Sequence, residues 1–139
     1  MLSLIHWHIE LSSICTLKCP RCPRLEVPES LLNRQLSLDF FKTQVEEHII
    51  KEIKKITFCG NDGDPIYCNE FIEIVEWIKE INPSVNIVLI TNGSYKKQEW
   101  WERLGKVLNK HDEIHWSLDG WDQESNEKYR VNSNWTSII

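Results

Sequence analysis

The sequence has no hydrophobic run of the kind that crosses a bilayer, which takes about 20 consecutive apolar residues. The start of the chain, Met1 to Glu10, also lacks the basic start, the unbroken apolar stretch and the small-residue cleavage site of a signal peptide. From these absences we expect a cytoplasmic protein that does not contact a membrane.

An excess of positive charge is absent as well, since the formal net charge is −5 and acidic and basic residues are interspersed. No global positive field would attract nucleic acid, so we expect no nucleic-acid partner. Basic residues do cluster locally at Lys18, Arg21 and Arg24. These cations are either ordinary surface charges or groups that offset thiolates or an anionic cofactor.

The cysteines do not form the pairs expected of a disulfide framework. There are five, an odd number, and Cys15, Cys19 and Cys22 lie close together with the spacing C-x3-C-x2-C. In a reducing compartment this pattern favours metal ligation over disulfides. Cys59 and Cys68 stand apart and are interpreted first as small buried or loop residues.

A fourth metal ligand is missing beside the three clustered cysteines. A structural zinc site would take its remaining ligand from a second C-x2-C or H-x3-H pair, which the sequence lacks. His6 and His8 could serve in principle, but their spacing to the cysteines is not that of ligands. A cubane iron–sulfur cluster on three thiolates would instead leave one iron open to bind a small molecule. Both kinds of metal site remain open from the residues alone.

With 139 residues, 41% of them hydrophobic, the chain is long enough for one packed domain. Hydrophobic patterns predict strands over Leu4 to Leu11, Lys55 to Cys59, Val85 to Ile90 and Glu113 to Leu118. They predict helices from the cap Ser37 to Ile50, from the cap Asn69 to Ile81 and from Lys97 to Asn109, with a short helix or turn over 123–130. No structure is assigned to the segment with Pro23 and Pro28. Repeats of about 30 residues in which strand and helix alternate predict an α/β domain of parallel βα units.

Each predicted strand is followed by residues suited to a ligand site. The cysteines follow the first strand, Gly60 to Pro65 the second, Thr91 to Gly93 the third and Ser117 to Gly120 the fourth. The carboxyl ends of parallel strands with right-handed connections lie on one edge of the sheet, where α/β folds bind ligands. We therefore expect these four segments to meet.

Taken together, these segments resemble the signature of the radical S-adenosylmethionine (radical SAM) superfamily. The cysteine triplet after an N-terminal strand matches its cluster motif, and Gly60 to Pro65 is similar to its Gly-Gly-Glu-Pro element. Thr91 to Gly93 and Ser117 to Gly120 occupy places where the family carries comparable residues. Cys-Pro-Arg-Cys-Pro-Arg, residues 19–24, resembles the peptide-modifying branch of the SPASM/twitch type.

The resemblance implies a [4Fe-4S] cluster on Cys15, Cys19 and Cys22, with S-adenosylmethionine bound at the fourth iron. It implies an oxidoreductase-type enzyme that cleaves this cofactor reductively to a 5′-deoxyadenosyl radical, which takes a hydrogen atom from a small-molecule or peptide substrate. An electron donor such as flavodoxin or ferredoxin would reduce the cluster.

The resemblance also implies a set of residues that bind S-adenosylmethionine. Gly63 and Asp64, followed by Pro65, match the element that receives the methionine amino group. Ser117 and Asp119 match positions that reach the ribose or the carboxylate. Arg130 resembles an arginine that pairs with the carboxylate in some relatives, and Asn92 belongs to the segment after the third strand.

Two positions depart from the family pattern. Arg21 stands where the family often has an aromatic residue before the third cysteine. Asp64 replaces the usual glutamate, so that Asp62 could itself be the functional acid.

The family core is a partial barrel with more βα units than the four predicted here. We therefore expect residues 1–139 to form a single radical SAM core domain, an incomplete TIM-like barrel with its helices outside. This domain would be truncated at its C-terminus or completed by another chain. The rival hypotheses are a non-catalytic fragment or partner subunit that binds cluster and cofactor, and a small zinc-binding protein.

Overall fold

A four-stranded parallel sheet forms the centre of the computed structural model, which describes residues 6–28 and 31–139. Its strands are β1 (His6–Ile9), β2 (Lys55–Phe58), β3 (Asn86–Thr91) and β4 (Glu113–Trp116), and they lie side by side in chain order. All three neighbouring pairs are parallel, which confirms the predicted α/β fold. Leu4 and Ile5, which were predicted to begin the first strand, lie outside the described residues.

Six helices connect and flank the strands in the described part of the chain. They are α1 (Pro23–Glu26), α2 (Leu38–Gln44), α3 (Glu47–Glu52), α4 (Phe71–Ile81), α5 (Gln98–Val107) and α6 (Gln123–Glu127). Short 3-10 turns cover Pro65–Tyr67 and Trp135–Ser137. One helix therefore covers most of each crossover from β2 to β3 and from β3 to β4, as in βα units.

Two details of the helix predictions are wrong. The single helix predicted from Ser37 to Ile50 is two helices, because the β-branched Val45 adopts extended backbone at φ −115 and ψ 114. Ser37 nevertheless caps the first of them, its Oγ accepting a hydrogen bond from the Phe40 amide at 3.1 Å. Asn69 is not the cap of α4, since Glu70 occupies that position without a side-chain hydrogen bond.

Helices α2 to α5 cover one face of the sheet. Side chains alternate along a strand, so that Ile56 and Phe58 of β2 face the same side as Ile87 and Leu89 of β3, and all four are fully buried. They form one hydrophobic core with α4, where Phe58 meets Phe71 edge to face at 5.3 Å between ring centroids. This core fixes the sheet and, with it, the positions of the loops at its carboxyl edge.

The opposite face of the sheet carries polar side chains together with Val88 and Ile90. The register pairs His8 of β1 with Thr57 of β2 on this face. It pairs Ile90 of β3 with His115 of β4 closer to the carboxyl edge. His6, His8 and His115 are exposed on this face, and His6 Nε2 lies 2.8 Å from Thr57 Oγ1. The sheet is open, since among the described residues β4 pairs only with β3, and this arrangement is consistent with a partial TIM-like barrel. No helix in the described ranges is both long and apolar enough to span a membrane.

Candidate functional site

The four segments that follow the strands meet around one cavity of about 140 Å³ at the carboxyl edge of the sheet. All three clustered cysteines line it. So do five of the seven other residues predicted to bind a cofactor, namely Gly63, Asp64, Asn92, Ser117 and Arg130. Residues far apart in sequence are therefore neighbours here, because parallel strands bring their carboxyl ends to one edge.

The loop with the cysteines is held on two sides. The Cys22 amide donates to the Cys19 carbonyl at 3.0 Å, which closes the turn between the second and third thiol. Tyr67, from the 3-10 turn after β2, places its hydroxyl 2.6 Å from Thr16 Oγ1. On the other side, Asn132 Nδ2 donates to the Thr16 carbonyl at 2.8 Å. The conformation of the loop therefore depends on contacts with two other segments, the 3-10 turn after β2 and the C-terminal segment.

Gly63 lies where the loop after β2 presses against the chain after β1. Its amide donates to Glu10 Oε1 at 2.9 Å, and the Asp62 amide donates to the same oxygen at 2.7 Å. A Cβ at position 63 would overlap the Ser12 carbonyl oxygen. Only glycine permits this approach of two backbones, which brings the loop to the cysteines.

Asp64 is buried at 6% exposure, and its carboxylate is fully engaged inside the protein. Oδ1 accepts from Thr91 Oγ1 at 2.7 Å and from the Ile66 amide at 3.2 Å. Oδ2 accepts from the amide and the side chain of Asn92 at 2.7 and 2.6 Å. Burial raises the pKa of Asp64, while these hydrogen bonds act in the opposite direction. The carboxylate thus joins the exit of β2 to the exit of β3.

The two neighbours of Asp64 named in the prediction lie farther from the cavity. Pro65 is buried and begins the 3-10 turn that Asp64 caps, so it does not line the cavity. Asp62 is exposed and also lies outside the lining. Its backbone amide donates to the Glu10 carboxylate, and its backbone carbonyl accepts from the Arg24 guanidinium.

Asn92 connects Asp64 to the first cysteine. Its Nδ2, which donates to Asp64, lies 3.7 Å from Cys15 Sγ, and its Oδ1 accepts from the Ser94 amide at 2.9 Å. Burial raises the pKa of the Cys15 thiol to about 11, with the nearby charge of Asp64 adding to the shift. A backbone hydrogen bond from Leu17 and the charge of Arg24 act in the opposite direction but do not offset the burial.

Arg130 approaches the second cysteine from the C-terminal segment. Its Nε donates to Asp119 Oδ2 at 2.5 Å, while its Nη1 lies 3.9 Å from Cys19 Sγ. Asp119 itself is exposed and lies behind the arginine, outside the cavity lining. Ser117 lines the cavity, and its amide donates to the Thr91 carbonyl at 2.7 Å.

Two further side chains with reactive or charged groups line the cavity, and one of them, Cys59, was not predicted to lie there. Cys59, interpreted as a buried or loop residue, lines the cavity, and its Sγ lies 4.0 Å from His8 Nδ1. Its position directly before Gly60, at the end of a strand, was the signal. Arg24 also lines the cavity and donates to the carbonyls of Ser13 and Asp62. The other two members of the basic cluster are exposed and lie outside the lining.

The donor set fits an iron–sulfur cluster better than a single ion. Within residues 6–28 and 31–139, no three His, Cys, Asp or Glu side chains lie close enough together to hold one metal ion. A zinc site needs such convergence, whereas a cubane takes each thiolate at a different iron. The cysteines surround a cavity, and N–H groups lie beside two of the sulfurs, as suits a thiolate-ligated cluster.

The fold and the site define a parallel α/β domain with a cavity lined by three cysteines at the carboxyl edge of its sheet. The family model of the radical SAM superfamily matches residues 9–139, and the chain belongs to that superfamily. Members of this superfamily bind a [4Fe-4S] cluster and S-adenosylmethionine. No curated protein matches the sequence.

Solved structures that share the fold include two of BtrN. BtrN in complex with AdoMet and 2-DOIA has a TM-score of 0.67 and 18% sequence identity, covering 100% of this chain and 56% of BtrN. The selenomethionine form of BtrN in an open conformation has a TM-score of 0.65 and 21% identity, covering 90% of this chain and 54% of the other. The chain thus spans about half the length of these structures.

Proposed function

We propose that this chain is the core domain of a radical SAM enzyme, with a [4Fe-4S] cluster on Cys15, Cys19 and Cys22. The observation that carries the proposal is the convergence of these cysteines with Gly63, Asn92 and the other strand ends around one cavity. A reduced cluster on these cysteines would supply one electron for the cleavage of S-adenosylmethionine into methionine and a 5′-deoxyadenosyl radical, which would take a hydrogen atom from the substrate.

The chain's own residues would bind and orient the cofactor. We assign direct contact to the residues that line the cavity, namely Gly63, Asp64, Asn92, Ser117 and Arg130. Pro65 and Asp119 lie behind this lining and would act by holding Asp64 and Arg130 in place. Gly63 contributes by bringing backbone close to the cysteines, where a side chain would prevent the approach.

The substrate would lie against the face of the sheet opposite helices α2 to α5, below the cofactor cavity. His8, Cys59 and His115 stand on this face. A small molecule or a peptide with hydrogen-bonding groups suits such a wall. The Cys-Pro-Arg-Cys-Pro-Arg sequence of residues 19–24 favours the peptide-modifying branch, which stays a prediction. A flavodoxin or ferredoxin would supply the electron, and the cytoplasm is the proposed compartment.

We further propose that residues 1–139 are part of a larger barrel that continues beyond β4. A groove of about 810 Å³ lies between α5, β4 and residues 134–139, and its apolar lining includes Trp101, Ile114 and Trp116. Trp101 Nε1 is buried there and has no hydrogen-bond partner in the described part of the chain. An uncovered edge strand beside an apolar groove needs a covering element. Another strand and helix, from a longer form of this chain or from a partner chain, would supply it.

Anaerobic reconstitution with iron and sulfide tests the assignment of the cluster. The expected product is a brown protein with about four irons per chain, as a cubane requires, that forms 5′-deoxyadenosine when reduced with S-adenosylmethionine. Cys19→Ala should lose colour and iron. Cys68→Ala should retain both, since Cys68 is buried against Leu36 outside the cavity. Iron and colour that survive Cys19→Ala unchanged would refute the assignment.

A non-catalytic fragment or partner subunit is the second candidate function, and the open sheet with its uncovered β4 favours it. Such a protein would bind the cluster and S-adenosylmethionine without forming 5′-deoxyadenosine. Stoichiometric zinc without sulfide in the purified protein would instead identify the small zinc protein.

A further inference from the structure

Two of the three cluster cysteines have an N–H donor beside the sulfur, and each donor is held by a carboxylate. Asn92 Nδ2 lies 3.7 Å from Cys15 Sγ, and Arg130 Nη1 lies 3.9 Å from Cys19 Sγ. Both distances suit an N–H group that donates to the large sulfur atom. The described residues give Cys22 no comparable side-chain donor.

The donor at Cys15 is fixed by Asp64. Asn92 gives Asp64 Oδ2 two hydrogen bonds, from its backbone amide and from its side chain. The Ser94 amide donates to Asn92 Oδ1, which sets the orientation of the side-chain amide. A side-chain amide has two N–H groups. With one directed to Asp64, the second remains for the sulfur.

The donor at Cys19 is fixed by Asp119 in the same manner. The Asp119 carboxylate accepts a hydrogen bond from Arg130 Nε at 2.5 Å. In this orientation Arg130 Nη1 lies next to Cys19 Sγ. Cys19 is buried, so a guanidinium beside it acts in a medium of low polarity. The guanidinium of Arg130 also brings a positive charge to this sulfur.

We propose that Asn92 and Arg130 are positioning residues that donate N–H groups to the thiolates of Cys15 and Cys19 and raise the reduction potential of the cluster. The inference rests on the proposed function, since it requires the cluster on these cysteines. Reduction adds negative charge to cluster and thiolates, and N–H donors and a cation stabilise that charge. Arg130, with its charge, has the larger effect.

This role differs from the one that the family resemblance implies for Arg130. An arginine that pairs with the carboxylate of S-adenosylmethionine would change the binding of that cofactor. One that donates to Cys19 changes the potential of the cluster when no S-adenosylmethionine is present. The two roles therefore predict different measurements on the same variant.

The test is a potentiometric titration of the reconstituted protein without S-adenosylmethionine, followed by electron paramagnetic resonance of the reduced cluster. For Arg130→Met we expect a lower midpoint potential. At the midpoint of the unaltered protein, the ratio of reduced to oxidised cluster should fall about tenfold, which equals about 59 mV for one electron. Arg130→Lys keeps the positive charge but cannot contact Asp119 and Cys19 at the same time as the guanidinium does. It should lower the midpoint potential by less than Arg130→Met does.

Arg103→Met is the matched control. Arg103 lies on α5 and forms exposed ion pairs with Glu73 and Glu76 at 2.9 and 3.2 Å, so the midpoint should not change. An unchanged midpoint in both Arg130 variants, with about four irons still bound per chain, would overturn the inference and leave the proposed function intact. So would weaker binding of S-adenosylmethionine at an unchanged potential. If the unaltered protein assembles no cluster, the proposed function fails and this inference fails with it.

Discussion

The carboxylate of Asp64 accepts two hydrogen bonds from Asn92 through a single oxygen, at 2.7 Å from the amide and 2.6 Å from the side chain. Its other oxygen accepts from Thr91 Oγ1 at 2.7 Å. Asp64 lies in the loop after β2, while Thr91 is the last residue of β3 and Asn92 follows it. One buried carboxylate therefore ties two strand exits together at the point where the cofactor cavity begins.

Asp64→Asn should weaken this junction. The new NH₂ group would face N–H donors of Asn92 and leave at least one of them without an acceptor, at a cost of about 1–3 kcal/mol in unfolding free energy. Urea unfolding of the protein without its cluster measures this loss. Asp62→Asn is the matched control, because Asp62 is exposed, and its effect should stay within about 0.5 kcal/mol. Equal unfolding free energies for the two variants would contradict the role assigned to Asp64.

The sequence predicted the strands, which depend on local hydrophobic patterns. It did not predict the side-chain contacts between residues that are far apart in the chain. Hydrophobic patterns located all four strands, and the parallel arrangement then placed the four segments at one edge. The pattern did not reveal that Asp64 turns inward to Asn92, since that pairing joins residues 28 positions apart. Cys59 was missed for the same reason: only the register of β2 against β1 brings it beside His8.

Gly63→Ala should prevent cluster assembly. The added Cβ would overlap the Ser12 carbonyl, so the loop must move away from the cysteines, and overpacking of this kind costs about 1–3 kcal/mol. Iron content after anaerobic reconstitution and urea unfolding measure the two effects.

Gly105→Ala is the control for Gly63→Ala. A Cβ at Gly105 meets nothing within 4 Å, and the residue lies inside α5. The change should therefore stabilise the fold by about 0.5–1 kcal/mol through helix propensity and leave iron binding unchanged. Full iron content in Gly63→Ala would show that the close approach at Ser12 is not required.

The reactivity of Cys15 in the protein without cluster should rise steeply with pH. Burial raises the pKa of its thiol to about 11, and only the thiolate reacts with iodoacetamide. Between pH 7 and 9 the thiolate fraction, and with it the alkylation rate, should therefore rise about tenfold per pH unit. Mass spectrometry of the peptide that carries Cys15 gives this rate. A rate that levels off below pH 9 would mean that the thiol is not held in its protonated form.

Asp112 and Lys79 form a buried ion pair at the end of the sheet opposite the cavity. Lys79 Nζ lies 2.7 Å from Asp112 Oδ2, the side chains are 10% and 0% exposed, and Asp112 Oδ1 also accepts from the Ile87 amide at 2.7 Å. Asp112→Ala would leave the buried Lys79 ammonium without its counter-charge, with the Val85 carbonyl as its remaining acceptor, and would leave the Ile87 amide without an acceptor. The unfolding free energy should therefore fall by about 3–5 kcal/mol.

The double variant Lys79→Met with Asp112→Ala separates the charge from the hydrogen bonds. Because it removes both charges, it should recover part of the stability lost in Asp112→Ala, while the Ile87 amide still lacks its acceptor. Urea unfolding of both variants measures the difference. If the double variant is as unstable as Asp112→Ala, the loss comes from the backbone hydrogen bonds of Asp112 and not from the unpaired lysine. Iron binding per folded chain should be unchanged in either case, since neither residue lines the cavity.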